Sequence, residues 1–143
     1  MNSIALSRHW FLAGSVLLFA WGIHQSGSSS QSGALRTPVV PVAIQETIAL
    51  VDAGALVIDV RDRSVSAGSH LPGALLIPLE VVAAQLGKME IAKAQRIVVY
   101  CGQGTGRGPA AVQALVQAGF TNVTNLEAGI EGWRAAGLPT LKS

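Results

Sequence analysis

Residues 96–109 read RIVVYCGQGTGRGP, and this stretch restricts the fold more than any other. Ile97, Val98, Val99 and Tyr100 follow one another with no charged or amide side chain between them. A strand with one wet face alternates apolar and polar residues. A continuous, β-branched run fits a strand covered on both faces, as in a parallel sheet. The run stops at Cys101. Glycine then occupies 102, 104, 106 and 108, and Pro109 stands at a favoured first position of a helical pattern that lasts to Ala118 and stops at Gly119. Buried strand, tight turn and helix succeed one another in that order.

The same grammar repeats along the chain. Leu56–Val60 (LVIDV), Ala74–Pro78 (ALLIP) and Val123–Leu126 (VTNL) are further strand candidates. Helices are expected over Ile44–Ala53, where Ile44, Ile48 and Val51 share a face and Gly54 marks a stop, over Leu79–Leu86, and over Glu131–Ala136 before Gly137. Strands alternating with short helices predict an α/β domain with a mainly parallel sheet. Ligands of such sheets bind beyond the C-terminal ends of strands, which is where Cys101 stands.

The chain has 143 residues, enough for one core and too few for two. Its front end is different in kind. Residues 10–23 (WFLAGSVLLFAWGI) carry no ionisable group, and Arg8 and His9 precede them. This is the layout of a secretory signal. The run is short of the roughly 20 residues a membrane span needs, although the uncharged stretch continues beyond His24. A signal peptide or an N-terminal membrane anchor over 1–24 both fit. Positive charge before the run, with none just after it, orients the remainder of the chain out of the cytoplasm, periplasmic or tethered to the inner membrane. Residues 25–36 (QSGSSSQSGALR) are a Ser/Gly tether, and the domain is expected over 37–143.

Charge separates these parts. Of ten basic residues, Arg8 and Arg36 belong to the front end, which has no acid; eight remain for the domain, against eight acids. The domain is neutral and offers no basic footprint for nucleic acid. Its only cysteine is Cys101, so no disulfide within the chain supports the fold. His9, His24 and His70 stand at no zinc-ligand spacing from Cys101, and neither a metal nor a cofactor is expected.

The chemistry is expected in the loop Cys101-Gly102-Gln103-Gly104-Thr105-Gly106-Arg107. A curled, glycine-rich backbone turns successive N–H groups inward to form an anion nest. The helix after it adds the positive end of its dipole. Arg107 can offer a guanidinium fork to an oxyanion. Helix N-termini and neighbouring cations favour a thiolate, the nucleophilic form of cysteine. A lone cysteine at a strand end can also be a small buried hydrophobe; the strand–Cys–glycine loop–Arg–helix combination favours the reactive reading.

The stretches Leu56–Asp62 (LVIDVRD), Gly68–Pro78 (GSHLPGALLIP), Ile97–Arg107 (IVVYCGQGTGR), Ala118–Phe120 (AGF) and Asn125–Pro139 (NLEAGIEGWRAAGLP) resemble, in order, those of the rhodanese superfamily. The resemblance covers nearly all of 42–140. It implies a parallel five-stranded sheet flanked by helices on both faces. It also implies that Cys101 attacks the outer sulfur of a donor such as thiosulfate, becomes a persulfide, and hands the sulfur to a thiol or cyanide. Residues 102–107 would then cradle the sulfur and the departing oxyanion. One departure stands out. The loop counts seven residues from Cys101 to Arg107, where typical single-domain rhodaneses have six. That length is shared with cell-division-cycle phosphatases and some arsenate reductases of the same fold. Those phosphatases, however, have His where Tyr100 stands and often an acid inside the loop, which is missing here. Cleaving a phosphate ester benefits from a group that protonates the leaving oxygen, so the loop favours sulfur transfer. A phosphatase or arsenate reductase, and a binding module with an idle cysteine, are the alternatives.

Asp59 and Arg61 end the first long strand. They could give the loop electrostatic support, and an internal ion pair holding the strand–loop corner is the simpler expectation. His70 is expected to be a hydrogen-bonded structural residue, and Trp133 to be packed core. Glu127 opens the last loop and could face the cleft.

Overall fold

The computed structural model describes Val39 and residues 41–143. The signal or anchor segment and the Ser/Gly tether lie outside the described residues. Among the described residues no helix is long and apolar enough to cross a membrane.

The order of elements is β1 (Pro41–Val42), α1 (Ile44–Asp52), β2 (Leu56–Asp59), α2 (Arg63–Ser66), β3 (Leu75–Leu76), a 3-10 turn (Leu79–Val81), α3 (Val82–Lys88), β4 (Ile97–Tyr100), α4 (Arg107–Gln117), β5 (Val123–Leu126) and α5 (Gly129–Ala135). The strands form one five-stranded sheet in the order β1-β5-β4-β2-β3, and every pairing is parallel. The expected α/β class and parallel five-stranded sheet are what the chain adopts.

The apolar run of β4 explains its central position. Ile97 and Val99 enter a core with Val82 and Leu86 of α3 and Ala111, Val112 and Leu115 of α4. Val98 and Tyr100 enter a second core on the other face, with Ile130 and Trp133 of α5 and the flank of α1 at Ile44 and Ile48. Both faces of the strand are therefore covered, and no position along it tolerates a charge. Trp133 is core, as expected, and its Nε1 donates to the Pro139 carbonyl at 2.9 Å.

Several boundaries differ from those the sequence predicts. β1 is an addition; its two residues are too short to form a run and hold the edge by pairing with Asn125 and Leu126. The single turn of α2 carries no apolar period and gives no signal in the sequence either. The helix expected over Leu79–Leu86 begins as a 3-10 turn, because Leu79 N–H is drawn to the Val60 carbonyl (3.2 Å) and Val81 N–H to that of Pro78 (3.1 Å). α4 starts at Arg107, not Pro109. Gly106, at φ 62°, ψ −95°, makes the turn into the helix. Pro109 falls inside the first turn, where its missing N–H removes no helical bond. α5 starts at Gly129 rather than Glu131, because the amides of Ile130 and Glu131 find acceptors outside the helix, on Cys101 and Gly102 (both 3.0 Å).

Candidate active site: a cysteine in a caged loop

Cys101 comes directly after β4, between the ends of β2 and β5. Asp59 pairs with Tyr100 in register, and Val60 N–H continues the ladder onto the Tyr100 carbonyl at 3.0 Å. On the other side Val99 pairs with Asn125. The cysteine is therefore delivered by the middle of the sheet, and as a residue it is 4% exposed. Sγ donates to the Thr105 carbonyl at 3.0 Å, so the sulfur lies inside the curl of its own loop.

The loop is held from three sides. From α5, the amides of Ile130 and Glu131 cap the carbonyls of Cys101 and Gly102. From β5, the buried Asn125 side chain donates through Nδ2 to the Gly104 carbonyl at 2.8 Å. Asn125 Oδ1 has no hydrogen-bond donor among the described residues and lies against Gly108 at the start of α4. A Cβ at 108 would overlap that oxygen and come within 3.5 Å of Cys101 Sγ, so only glycine lets α4 approach this closely. Gly104 is at φ +75°, and a Cβ there would overlap the Glu127 carbonyl. Both constraints demand glycine at 104.

The carbonyls of Cys101, Gly102 and Gly104 thus point outward to α5 and β5, while that of Thr105 accepts from Cys101 Sγ. The loop's amides do not accompany them. Among the described residues, no N–H of residues 102–107 donates to a backbone carbonyl. Gly102, Gln103, Gly104, Thr105, Gly106 and Arg107 follow Cys101 in one tight loop, and amides without a backbone acceptor are the groups an anion nest uses.

Arg107 is the first residue of α4, and the structure places its guanidinium at the rim. Nε donates to the Val60 carbonyl (3.1 Å), and Nη2 donates to both oxygens of Glu80 (2.9 and 3.0 Å), with Asp62 Oδ1 at 3.5 Å. The Nε–Nη2 edge, one of the two forks an arginine offers to an oxyanion, is engaged with the protein itself. An oxygen of the Glu131 carboxylate lies 3.5 Å from where a Cβ of Gly102 would stand.

Asp59 and Arg61 form the ion pair expected at the strand–loop corner. Asp59 is fully buried, and Arg61 meets it side-on, Nε to Oδ1 at 2.9 Å and Nη2 to Oδ2 at 2.6 Å. Nη2 also donates to the Ser69 carbonyl, and the guanidinium lies 5.9 Å from the centre of the Tyr100 ring. The hydrogen bond to Asp59 raises the Arg61 pKa further above its ordinary value. Burial, then the charge of Asp59, holds the Tyr100 phenol protonated well above the ordinary tyrosine range. Tyr100 OH accepts the Leu71 N–H at 3.0 Å. This group ties the end of β2 to the backbone of residues 69–71, and its polar atoms are spent on one another and on that segment. His70 is structural too: Nδ1 lies 3.3 Å from the Ser66 carbonyl, and its backbone pairs with Leu141.

Three contributors are not legible in the sequence: Asn125, Glu80 and Glu131. Asn125 carries one faint signal, an amide within the strand Val123–Leu126. Among the described residues no group of His, Cys, Asp and Glu gathers as metal ligands would. An apolar cavity of about 260 Å³ lies between α1 and the C-terminal segment, lined by Ile48, Val57, Leu71 and Trp133, and no residue from Cys101 to Arg107 borders it.

A family profile described as "Rhodanese-like domain" matches residues 43–136. An uncharacterized protein of Synechocystis sp., slr1261, is 29% identical over 116 residues, covering 81% of this chain and 60% of that protein. A protein named "Sulfurtransferase" from Allochromatium vinosum is 34% identical over 84 residues, covering 59% of this chain and 76% of its own. Among solved structures, the crystal structure of the Alr3790 protein from Anabaena sp. superposes with a TM-score of 0.66 at 28% identity, over 71% of this chain and 82% of that one. The chain spans about three fifths of the length of the first curated relatives it matches.

Proposed function

The chain belongs to the rhodanese-like family, and from that premise we propose that it is a sulfurtransferase carrying a sulfane sulfur on Cys101. The observation that carries this reading is the position of Sγ inside a loop whose amides from 102 to 107 have no backbone acceptor among the described residues. In the forward step the Cys101 thiolate attacks the outer sulfur of a donor R–S–S or of thiosulfate. The donor's S–S bond breaks, and the leaving thiolate or sulfite departs with the electron pair. The loop amides stabilise the negative charge that passes through this position. An acceptor thiolate or cyanide then attacks the outer sulfur of the Cys101 persulfide, and Cys101 leaves as thiolate, ready for the next donor. No general acid is needed for leaving groups of this kind, in keeping with the lack of an acid within the loop.

The test is mass spectrometry of the intact chain after thiosulfate treatment. The wild type should gain the mass of one sulfur atom, reversibly with a thiol acceptor, and Cys101→Ser should gain nothing. An equal gain in the serine variant, or none in the wild type, would sink the reading. The seven-residue span from Cys101 to Arg107 favours one second reading, a phosphatase or arsenate reductase. Turnover of an aryl phosphate or of arsenate, lost in Arg107→Ala while thiosulfate goes unused, would establish that instead.

The charge asymmetry about residues 10–23 supports a domain working outside the cytoplasm. A reporter enzyme that matures only outside the cytoplasm, fused after Ser143, should be active. Activity of a cytoplasm-only reporter at the same position would overturn this assignment.

A further inference from the structure

Resting on the sulfurtransferase reading, we infer that Glu80 sets the charge of the donor this loop accepts, by withholding Arg107 from the anion and selecting sulfur donors of low charge over dianions. The 3-10 turn that carries Glu80 is pinned where Arg107 can reach it. Leu79 N–H and Arg107 Nε share one acceptor, the Val60 carbonyl, at 3.2 and 3.1 Å. That shared atom brings the next residue, Glu80, onto Nη2 with both carboxylate oxygens. The side-on fork of the guanidinium is filled on its Nε by a backbone carbonyl and on its Nη2 by a carboxylate. Asp62, 3.5 Å from Nη2, adds a second negative charge to the same cation.

These contacts set the charge at the mouth. Arg107 is the cation that ends the loop, and Asp62 and Glu80 both lie against it. A Glu131 carboxylate oxygen also lies beside Gly102, 3.5 Å from where a Cβ would stand. A dianion arriving at Cys101 meets backbone amides that attract it and a rim whose carboxylates outnumber its one guanidinium. A neutral or singly charged donor, such as an organic hydropersulfide R–S–SH, meets the same amides with less repulsion at the rim. It reacts by the same exchange: the Cys101 thiolate takes the outer sulfur, the bond joining that sulfur to R–S breaks, and R–S⁻ leaves and takes up the proton. The control is local and adjustable. Glu80 is 59% exposed and holds no core contact, so the fold does not depend on it.

The test uses the chain's single cysteine and two alkylating agents of nearly equal shape, anionic iodoacetate and neutral iodoacetamide, on the full-length protein. In Glu80→Gln the amide oxygen still accepts from Nη2 and the negative charge is gone. The ratio of the iodoacetate rate to the iodoacetamide rate at Cys101 should rise about fivefold, the size expected for removing one partly screened charge near the sulfur. Asp62→Asn, at the longer distance, should raise it less. With thiosulfate, Glu80→Gln should lower KM by a similar factor and leave kcat unchanged. An unchanged ratio in a Glu80→Gln protein that melts like the wild type overturns the inference, and so does a fall. Because alkylation requires no sulfur transfer, a raised ratio without any persulfide would sink the sulfurtransferase reading and leave the role of Glu80 standing. A persulfide with an unchanged ratio would do the reverse.

Discussion

Asn125 Nδ2 donates to the Gly104 carbonyl at 2.8 Å, linking the middle of β5 to the crest of the cysteine loop. The residue is 2% exposed, so water cannot substitute for its side chain. It holds one loop carbonyl on β5, while the amides of 102–107 have no backbone acceptor among the described residues. Asn125→Leu should cost about 1–3 kcal/mol by orphaning the Gly104 carbonyl. It should also lower kcat for sulfur transfer more than it changes KM. Chemical denaturation and steady-state kinetics read the two effects, and a stability loss with unchanged kcat would confine Asn125 to the fold.

Gly104→Ala tests the same crest from the backbone. The positive φ by itself is worth about 1–3 kcal/mol against a non-glycine residue, and the overlap with the Glu127 carbonyl adds to it. The variant should be destabilised by at least that amount, and its loop amides should lose their common focus. Persulfide yield and urea midpoint should fall together. Gly54, also at positive φ but with open space around it, supplies the comparison: Gly54→Ala should cost stability and spare the persulfide.

The buried pair beneath the loop predicts a different pattern. Arg61→Met leaves the Asp59 carboxylate, fully buried, without its counter-ion, and should cost about 3–5 kcal/mol. The double variant Asp59→Asn, Arg61→Met should recover part of that loss, because no unpaired charge remains. A double-variant loss equal to the sum of the losses of Asp59→Asn and Arg61→Met would mean the pair is not coupled. By contrast, the half-exposed contact of Arg107 with Glu80 should contribute no more than about 1 kcal/mol to stability.

Tyr100 is the chain's one tyrosine, so its titration can be watched directly. Its folded pKa is raised above the unfolded value near 10, so the folded state holds the proton more tightly. The stability tied to this group is complete below pH about 10 and falls as the pH rises beyond it. Phenolate absorbance should therefore appear only as the protein unfolds, and Tyr100→Phe should flatten the loss of stability above about pH 10. Phenolate forming at its ordinary pH in a protein that is still folded would contradict this.

Much of the fold is legible residue by residue. The unbroken apolar run of β4 requires two covered faces, and the alternation with short helices requires a parallel sheet. The glycine loop and Cys101 announce themselves by composition and order. What escapes is short or relational. β1 and α2 hold too few residues to show a period, and the start of α5 is set by acceptors on Cys101 and Gly102 rather than by its own residues.

By itself the sequence determined the class of fold, the strand that delivers the cysteine and the loop that surrounds it, because local patterning and glycine geometry act over a few neighbouring residues. Only the tertiary structure decided what the loop's charge is spent on. The order β5-β4-β2 sets Asn125 on one side of Cys101 and Val60 on the other, and the Val60 carbonyl draws Leu79 and Arg107 to one point and so puts Glu80 on the arginine. No spacing in the chain encodes that meeting. It arises because three segments distant in sequence meet at one carbonyl and one guanidinium beyond the end of β2.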